Sequence, residues 1–478
     1  MITREHLFIG GDCVAPAGTD VIEIVSPHTE QVIGRVPAGT TTDMDRAVAA
    51  ARAAFDTGPW PRTDPVGRAA AVGRLAEVFA GRAGEMAALI TAEMGSPIAF
   101  SQMTQAGPPN FLAYYAKLGA EYTWEEERPG MIGPVAVRRE PVGVVAAITP
   151  WNVPQFLIMT KLAPALVAGC TVVLKPAPET PLDPYLLAEM VQEAQIPPGV
   201  VNIVAAGREV GEYLVSHPGV DKVAFTGSTA AGRRIGAICG QQVKRCSLEL
   251  GGKSAAIILD DADLAAVADW VRGAPLANSG QICVAQTRIL ASRGRYQEVV
   301  DALADTVETM TVGDPADPAT EIGPLAAQRQ QDRVEGYLRL GQTEGATVVV
   351  GGPAASGQAT GWYVAPTVFA GVDNDMRIAR EEIFGPVLTV IPYQDETDAV
   401  RIANDSDYGL GGAVWTGDPA HGMDLARQVR TGSYGINTSY LFDPNTPFGG
   451  FKTSGIGREL GPEGLAAYLE YQSIARPD

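Results

Sequence analysis

The sequence predicts an α/β protein built on parallel sheets, and three observations carry that expectation. Apolar runs without polar alternation recur at Val142–Thr149, Thr171–Leu174 and Val200–Val204, the mark of strands buried on both faces. Segments of helical length separate them, and right-handed crossovers of this kind cover a parallel sheet on both sides. At 478 residues the chain is also too long for one ordinary core, so two or three domains are expected.

Before residue 121 the pattern is helix-rich, clearest over Met44–Phe55 and Pro65–Met94. Glu121 to Glu140 breaks it: the segment is polar, holds Pro129-Gly130 at its middle, and suits a two-stranded excursion. Val142–Thr149 then reads as a strand closed by Pro150, and Phe156–Ala168 as a helix ending at Gly169, a natural C-cap. Thr171–Leu174 is a second strand and Pro184–Ala194 a second helix. Val200–Val204 and Val223–Phe225 follow as strands, a helix opens near Thr229, and Cys246–Leu250 is a further strand. After Lys253 a second α/β region runs to about Phe451, starting with strand Ala255–Leu259, helix Leu264–Val271 and strand Arg288–Ala291.

Net charge is -19, from Asp+Glu 55 against Lys+Arg 36. Nucleic acid, which needs clustered basic side chains, is excluded as a partner. The N-terminal run Met1–His6 lacks an apolar core, so no signal peptide is expected. The most apolar stretch, Leu162–Leu174, is broken by Pro164 and Gly169 and falls short of the ~18 residues of a spanning helix. A soluble, cytoplasmic chain with no membrane partner is expected. The five cysteines are scattered, as in a reducing compartment. Cys239 and Cys246 lack zinc-pair spacing, and no metal site is expected.

Two runs carry the chemistry. Gly280-Gln281-Ile282-Cys283 offers a thiol after a small, flexible turn, and Glu249-Leu250-Gly251-Gly252-Lys253 a carboxylate beside two glycines. A lone cysteine is usually a small buried hydrophobe, and a glutamate closing a strand is often solvated. A thiol and a base in one cleft instead form a nucleophile pair for a carbonyl carbon. Asn152, in Pro150-Trp151-Asn152, follows a strand at its carboxyl end, where α/β sheets place ligands. It could be a turn residue, but its amide suits an oxyanion. Gly227-Ser228-Thr229-Ala230-Ala231-Gly232 opens a helix after a strand, where backbone N–H groups hold phosphate. Gly252-Lys253-Ser254 looks like the end of a P-loop, but Ser247 stands where the first glycine is required, so an ATP site is rejected.

Together these runs resemble the signature of the aldehyde dehydrogenase family over nearly the whole chain. Lys175-Pro176, Glu381-Glu382-Ile383-Phe384-Gly385-Pro386, Pro447–Lys452 and Gly457-Arg458-Glu459 agree with it in order. The resemblance implies an α/β fold of two Rossmann-like, parallel-sheet domains plus a small β oligomerisation arm. Residues 1–120 and 141–252 would be the dinucleotide-binding domain, 253–451 the catalytic domain, and 121–140 with 452–478 the arm and tail. It implies NAD(P)-dependent oxidation of an aldehyde to a carboxylic acid through a cysteine thiohemiacetal and thioester. Cys283 would be the nucleophile and Glu249 the base that activates water. Asn152 and the Cys283 N–H would form the oxyanion hole, with Lys161 along a proton path.

In the same resemblance Lys175 bonds the adenosine ribose, Gly227 and Ser228 the phosphates, and Glu382 the nicotinamide ribose, with Phe384 near the ring. Trp151, Gly211, Phe225, Leu250, Gly251 and Gln330 complete the cofactor set. Val153, Phe156, Leu157, Ile282, Val284, Phe442 and Phe448 line the implied substrate tunnel, an apolar set without a cation. Partners would be a small aldehyde and further copies of the chain, as a dimer or tetramer. One departure stands out. Many NAD-preferring members carry a glutamate three residues after the ribose-binding lysine, whereas this chain has Pro178 and then Glu179. NAD is expected as the preferred cofactor, with measurable use of NADP. A CoA-acylating relative is disfavoured by Glu249, and a silent scaffold by Cys283.

Overall fold

Strands from the apolar runs assemble into two large sheets in the computed structural model, which describes residues 1–353, 357–439 and 442–477. The first sheet has eight strands in the order Gly455–Ile456, Arg245–Glu249, Lys222–Thr226, Val144–Ile148, Thr171–Lys175, Val201–Ile203, Leu7–Ile9 and Asp12–Val14. Its five central strands, from Arg245–Glu249 to Val201–Ile203, run parallel. The outer ones are antiparallel. Val145, Ala147 and Val172 pack into one core under helices Pro65–Met94 and Pro154–Ala168. Val144, Ala146 and Val173 pack into another under helices Thr41–Asp56 and Thr229–Gln242. Burial on both faces is why these strands read as unbroken apolar runs.

The register places Ile148 opposite Lys175 and Thr226 opposite Glu249. Asn152, Lys175, Gly227 and Glu249 therefore all stand at or just beyond the carboxyl edge of one sheet. The second sheet orders Thr347–Val350, Thr367–Ala370, Val387–Tyr393, Arg288–Ser292, Ala255–Ile258, Gly412–Trp415 and Gly435–Ile436. It is parallel except for the Thr347–Val350 edge.

Local signals explain the helix limits. Asp64 caps helix Pro65–Met94 by accepting from Gly67 N at 2.6 Å, Pro65 takes the first turn, and Gly95 ends it at φ 81°. Helix Pro154–Ala168 is buried on every side except at Phe156, and Gly169 closes it at φ 96°.

Three features differ from the sequence reading. The segment before residue 121 is not helical throughout, because strands Ile2–Thr3, Leu7–Ile9, Asp12–Val14, Val21–Val25 and Val32–Pro37 precede its first helix. At two to six residues each, they are too short for a period to show. Helix Arg208–Ser216 adds a crossover between strands Val201–Ile203 and Lys222–Thr226. The tail also divides. Gly455–Ile456 joins the first sheet beside the Glu249 strand, and only Leu469–Ala475 pairs with the excursion. The excursion is the hairpin Glu125–Pro129 and Pro134–Pro141, and with the tail strand it makes a three-stranded antiparallel sheet. Among the described residues no helix is long and apolar enough to cross a membrane, and no group of three or more His, Cys, Asp or Glu could hold a metal.

Candidate active site

Cys283 sits on a loop whose backbone is forced. Asn278, Ser279 and Gly280 have φ of 52°, 56° and 71° in succession. For the two non-glycines this left-handed conformation costs on the order of 1–3 kcal/mol each. Buried hydrogen bonds hold the loop there: Asn278 Nδ2 donates to Asn152 O at 2.9 Å, Ser279 Oγ to Gly323 O at 2.8 Å, and Gln281 Oε1 accepts from Ala326 N at 3.0 Å. Gly280 is required for a second reason. A Cβ there would lie 2.1 Å from Gly385 O, so the loop packs backbone to backbone on Gly385-Pro386, just past Phe384.

The Asn152 amide faces the same loop and donates through Nδ2 to Gln281 O at 2.9 Å. One N–H of that NH2 group stays available beside the thiol, since an amide carries two. Cys283 is half-buried, and burial pushes its thiol up to about 12, helped by the Glu382 and Glu249 carboxylates.

Glu249 ends its strand inside the protein at 3% exposure, with neither carboxylate oxygen hydrogen-bonded among the described residues. Burial lifts it well above the usual carboxylate range; Glu459 adds to this, while Lys161 and Arg458 oppose it. Gly449 leaves room there, because a Cβ at that position would lie 2.8 Å from Glu249 Oε1. Behind it, the fully buried Lys161 Nζ donates to Glu459 Oε1 at 2.7 Å and to Thr226 Oγ1 at 2.5 Å, and Thr160 Oγ1 donates to Glu459 Oε2 at 2.7 Å. Both oxygens of this second glutamate are thus satisfied, which leaves Glu249 as the unpaired carboxylate of the group.

Two cavities meet at Asn152 and Cys283. The first, about 200 Å³, is lined by Trp151, Gly227, Ser228, Leu250, Gly251, Gln330, Glu382 and Phe384, together with Pro150, Thr226 and Arg333. The remaining expected cofactor residues lie outside this lining. Phe225 underlies Gly227, where a Cβ would come 2.5 Å from its ring. Lys175 lies against Gly211, where a Cβ would come 3.0 Å from Lys175 Cε, and its Nζ donates to Pro176 O at 2.8 Å. Burial pulls that ammonium down to about 8, against the opposing pull of Glu179.

A dinucleotide suits this cleft. The N-terminus of helix Thr229–Gln242 opens behind Gly227 and Ser228, offering N–H groups to phosphate. Gly251 allows the Glu382 carboxylate to come close, since a Cβ would lie 2.5 Å from its Oε2. Glu382 Oε1 accepts from Gly252 N at 3.0 Å, and burial raises the acid to about 7.

The second cavity, about 280 Å³, is lined by Val153, Phe156, Leu157, Ile282, Val284 and Phe442, with no charged side chain among the described residues of its wall. Phe448 stands one layer back, with its ring 4.3 Å from that of Phe442 between centroids. Sequence reasoning missed Phe100 and Met103, which complete this wall from helix Ile98–Gln105. It also missed Thr226 and Arg333 in the first cavity. Arg333 had a usable signal, since it lies three residues beyond the expected Gln330 on helix Gln328–Thr343 and shares its face.

A profile of the Aldehyde dehydrogenase family matches residues 14–474. The chain is 51% identical to geranial dehydrogenase of Castellaniella defragrans, with 99% of each chain covered. It is 44% identical to 3-succinoylsemialdehyde-pyridine dehydrogenase of a Pseudomonas species over 98% of both. Among solved structures, a Mycobacterium tuberculosis aldehyde dehydrogenase complexed with NAD+ superposes with a TM-score of 0.97 at 50% identity, covering 100% of this chain and 99% of the other. A mutant of aldehyde dehydrogenase C from Pseudomonas syringae, complexed with NAD+ and octanal, gives 0.95 at 42% identity, with 98% and 96% covered.

Proposed function

Because the chain belongs to the aldehyde dehydrogenase family, we propose that it oxidises apolar aldehydes to carboxylic acids through a thioester on Cys283, with NAD as preferred cofactor. One observation carries this reading: Cys283 and Asn152 stand on the wall shared by an apolar cavity and a glycine-lined cleft. Only a residue at that junction can touch an aldehyde and a cofactor together. The relatives named for geranial and crystallised with octanal support an apolar substrate.

In this mechanism Cys283 gives its proton to solvent, and its Sγ, as thiolate, bonds to the aldehyde carbon. Asn152 Nδ2 and the Cys283 N–H donate to the oxygen that becomes negative. Held in the cleft by Trp151, Glu382 and Phe384, NAD would supply the acceptor for the hydride of this carbon, which leaves the acyl group on sulfur as a thioester. Glu249 then draws a proton from water so that its oxygen attacks the acyl carbon, the C–S bond breaks, and the acid leaves. Lys161 and Glu459 form a fixed ion pair beside Glu249. The lysine charge opposes the rise that burial imposes on the base.

The cofactor is assigned to residues 1–120 and 141–252, with Lys175 and Gly211 at the adenosine end of the cleft. Residues 253–451 present the thiol, and 121–140 with the tail strand form the oligomerisation arm.

Glu249→Gln tests the assignment. Mixed with excess aldehyde and NAD, it should release about one equivalent of reduced cofactor per site in a burst and then turn over 10²–10⁴-fold more slowly, roughly the worth of a general base. Full steady-state turnover without a burst would overturn it. So would acyl-CoA as the main product when wild-type enzyme is given CoA.

A further inference from the structure

The two sheet units are tied together by a charge pair, Glu179 with Arg329, that the sequence does not suggest. Glu179 follows strand Thr171–Lys175 of the first sheet, and its carboxylate is only 13% exposed. Its partner is Arg329 Nη2, from helix Gln328–Thr343 of the second unit, with a side chain 58% exposed. The next residue, Gln330, lines the cleft with Cys283, and Arg333 one turn on does the same. Glu179 also acts electrostatically on the Lys175 ammonium. A lysine, a carboxylate and an arginine therefore gather where Pro178 replaces the more usual acid.

Resting on the reading that Lys175 marks the adenosine end, we propose that Arg329 is the residue that would receive a 2′-phosphate on the adenosine ribose, and that Glu179 holds it away. The planar fork of an arginine suits a phosphomonoester. In the ion pair that fork is engaged and its charge cancelled, leaving Lys175 as the net cation. An unphosphorylated ribose needs neither group freed, so NAD binds without disturbing the pair. NADP has to draw Arg329 off Glu179 first. Ion pairs this open to water hold weakly, so the barrier is graded: NADP is disfavoured but not refused.

The test measures dissociation constants of NADH and NADPH by fluorescence titration in wild type, Glu179→Gln, Arg329→Ala and the double variant. Glu179→Gln should tighten NADPH by about tenfold and change NADH by less than about threefold, as expected for a charge-assisted contact. Raising the salt should erode that gain, since the arginine is exposed. In the Arg329→Ala background, Glu179→Gln should move NADPH by less than about threefold. If it tightens NADPH equally with and without Arg329, loss of simple repulsion accounts for the change and the proposal falls. It also falls if the NADPH-to-NADH ratio does not move in any variant. Failure of wild type to bind NADH at all would be a different result, which sinks the cofactor reading and takes this inference with it.

Discussion

Cys283 rests as a thiol, and that state has a measurable signature. Its proton is held up to about 12 by burial, with Glu382 and Glu249 adding to the effect. The thiolate, the reactive form, therefore grows about tenfold per pH unit throughout the range below that value. Alkylation at Cys283 by iodoacetamide, read on its own peptide by mass spectrometry in the ligand-free enzyme, should climb steadily from about pH 7 to about pH 10 without levelling, whereas an ordinary thiol of pKa ~8.5 saturates. A plateau below about pH 9 would contradict the buried thiol. Cys283→Ala serves as the control and should lose the alkylation while still binding NADH. At this scale the sequence was highly legible. Cys283, Glu249 and Asn152 were named from short runs, and the fold gathers them at one place. Glu459 was quoted only as part of a run, because a buried ion pair with Lys161 298 positions away leaves no local trace.

The elements were readable in proportion to their punctuation. Helix Pro65–Met94 was legible to the residue, because Asp64, Pro65 and Gly95 mark its ends. The Val21–Val25 strand was not, since its half-exposed face carries no clean period. Helix Ile98–Gln105 escaped notice for a similar reason, being short and without a side-chain cap. That omission matters, because this helix closes one wall of the apolar cavity through Phe100 and Met103. Phe100→Ala should lower kcat/KM for octanal about tenfold or more, by removing apolar contact worth ~1–3 kcal/mol, and leave acetaldehyde almost unchanged. Equal losses for both aldehydes would show that the helix supports the site without touching the chain of the substrate.

At the scale of the whole molecule, the three-stranded arm is the surface proposed for assembly. Its tail strand leaves Tyr471 and Ile474 exposed at 60% and 45%, apolar surface that a second copy of the chain would bury. Ile474→Asp should shift the sedimentation coefficient from a dimer or tetramer toward the monomer. A wild-type monomer at micromolar concentration would rule the interface out. Polarity marked the 121–140 hairpin, whereas its third strand, which pairs Ala475 with Val135, followed only from the family resemblance.

The junction of the two cavities also bears on traffic through the enzyme. Each cavity ends at Asn152 and the same sulfur, and their linings otherwise belong to different walls. Two doors onto one room mean that neither visitor needs to wait behind the other. An aldehyde too bulky to react can then occupy its own side and leave the cofactor free to come and go, so it should compete with the substrate alone.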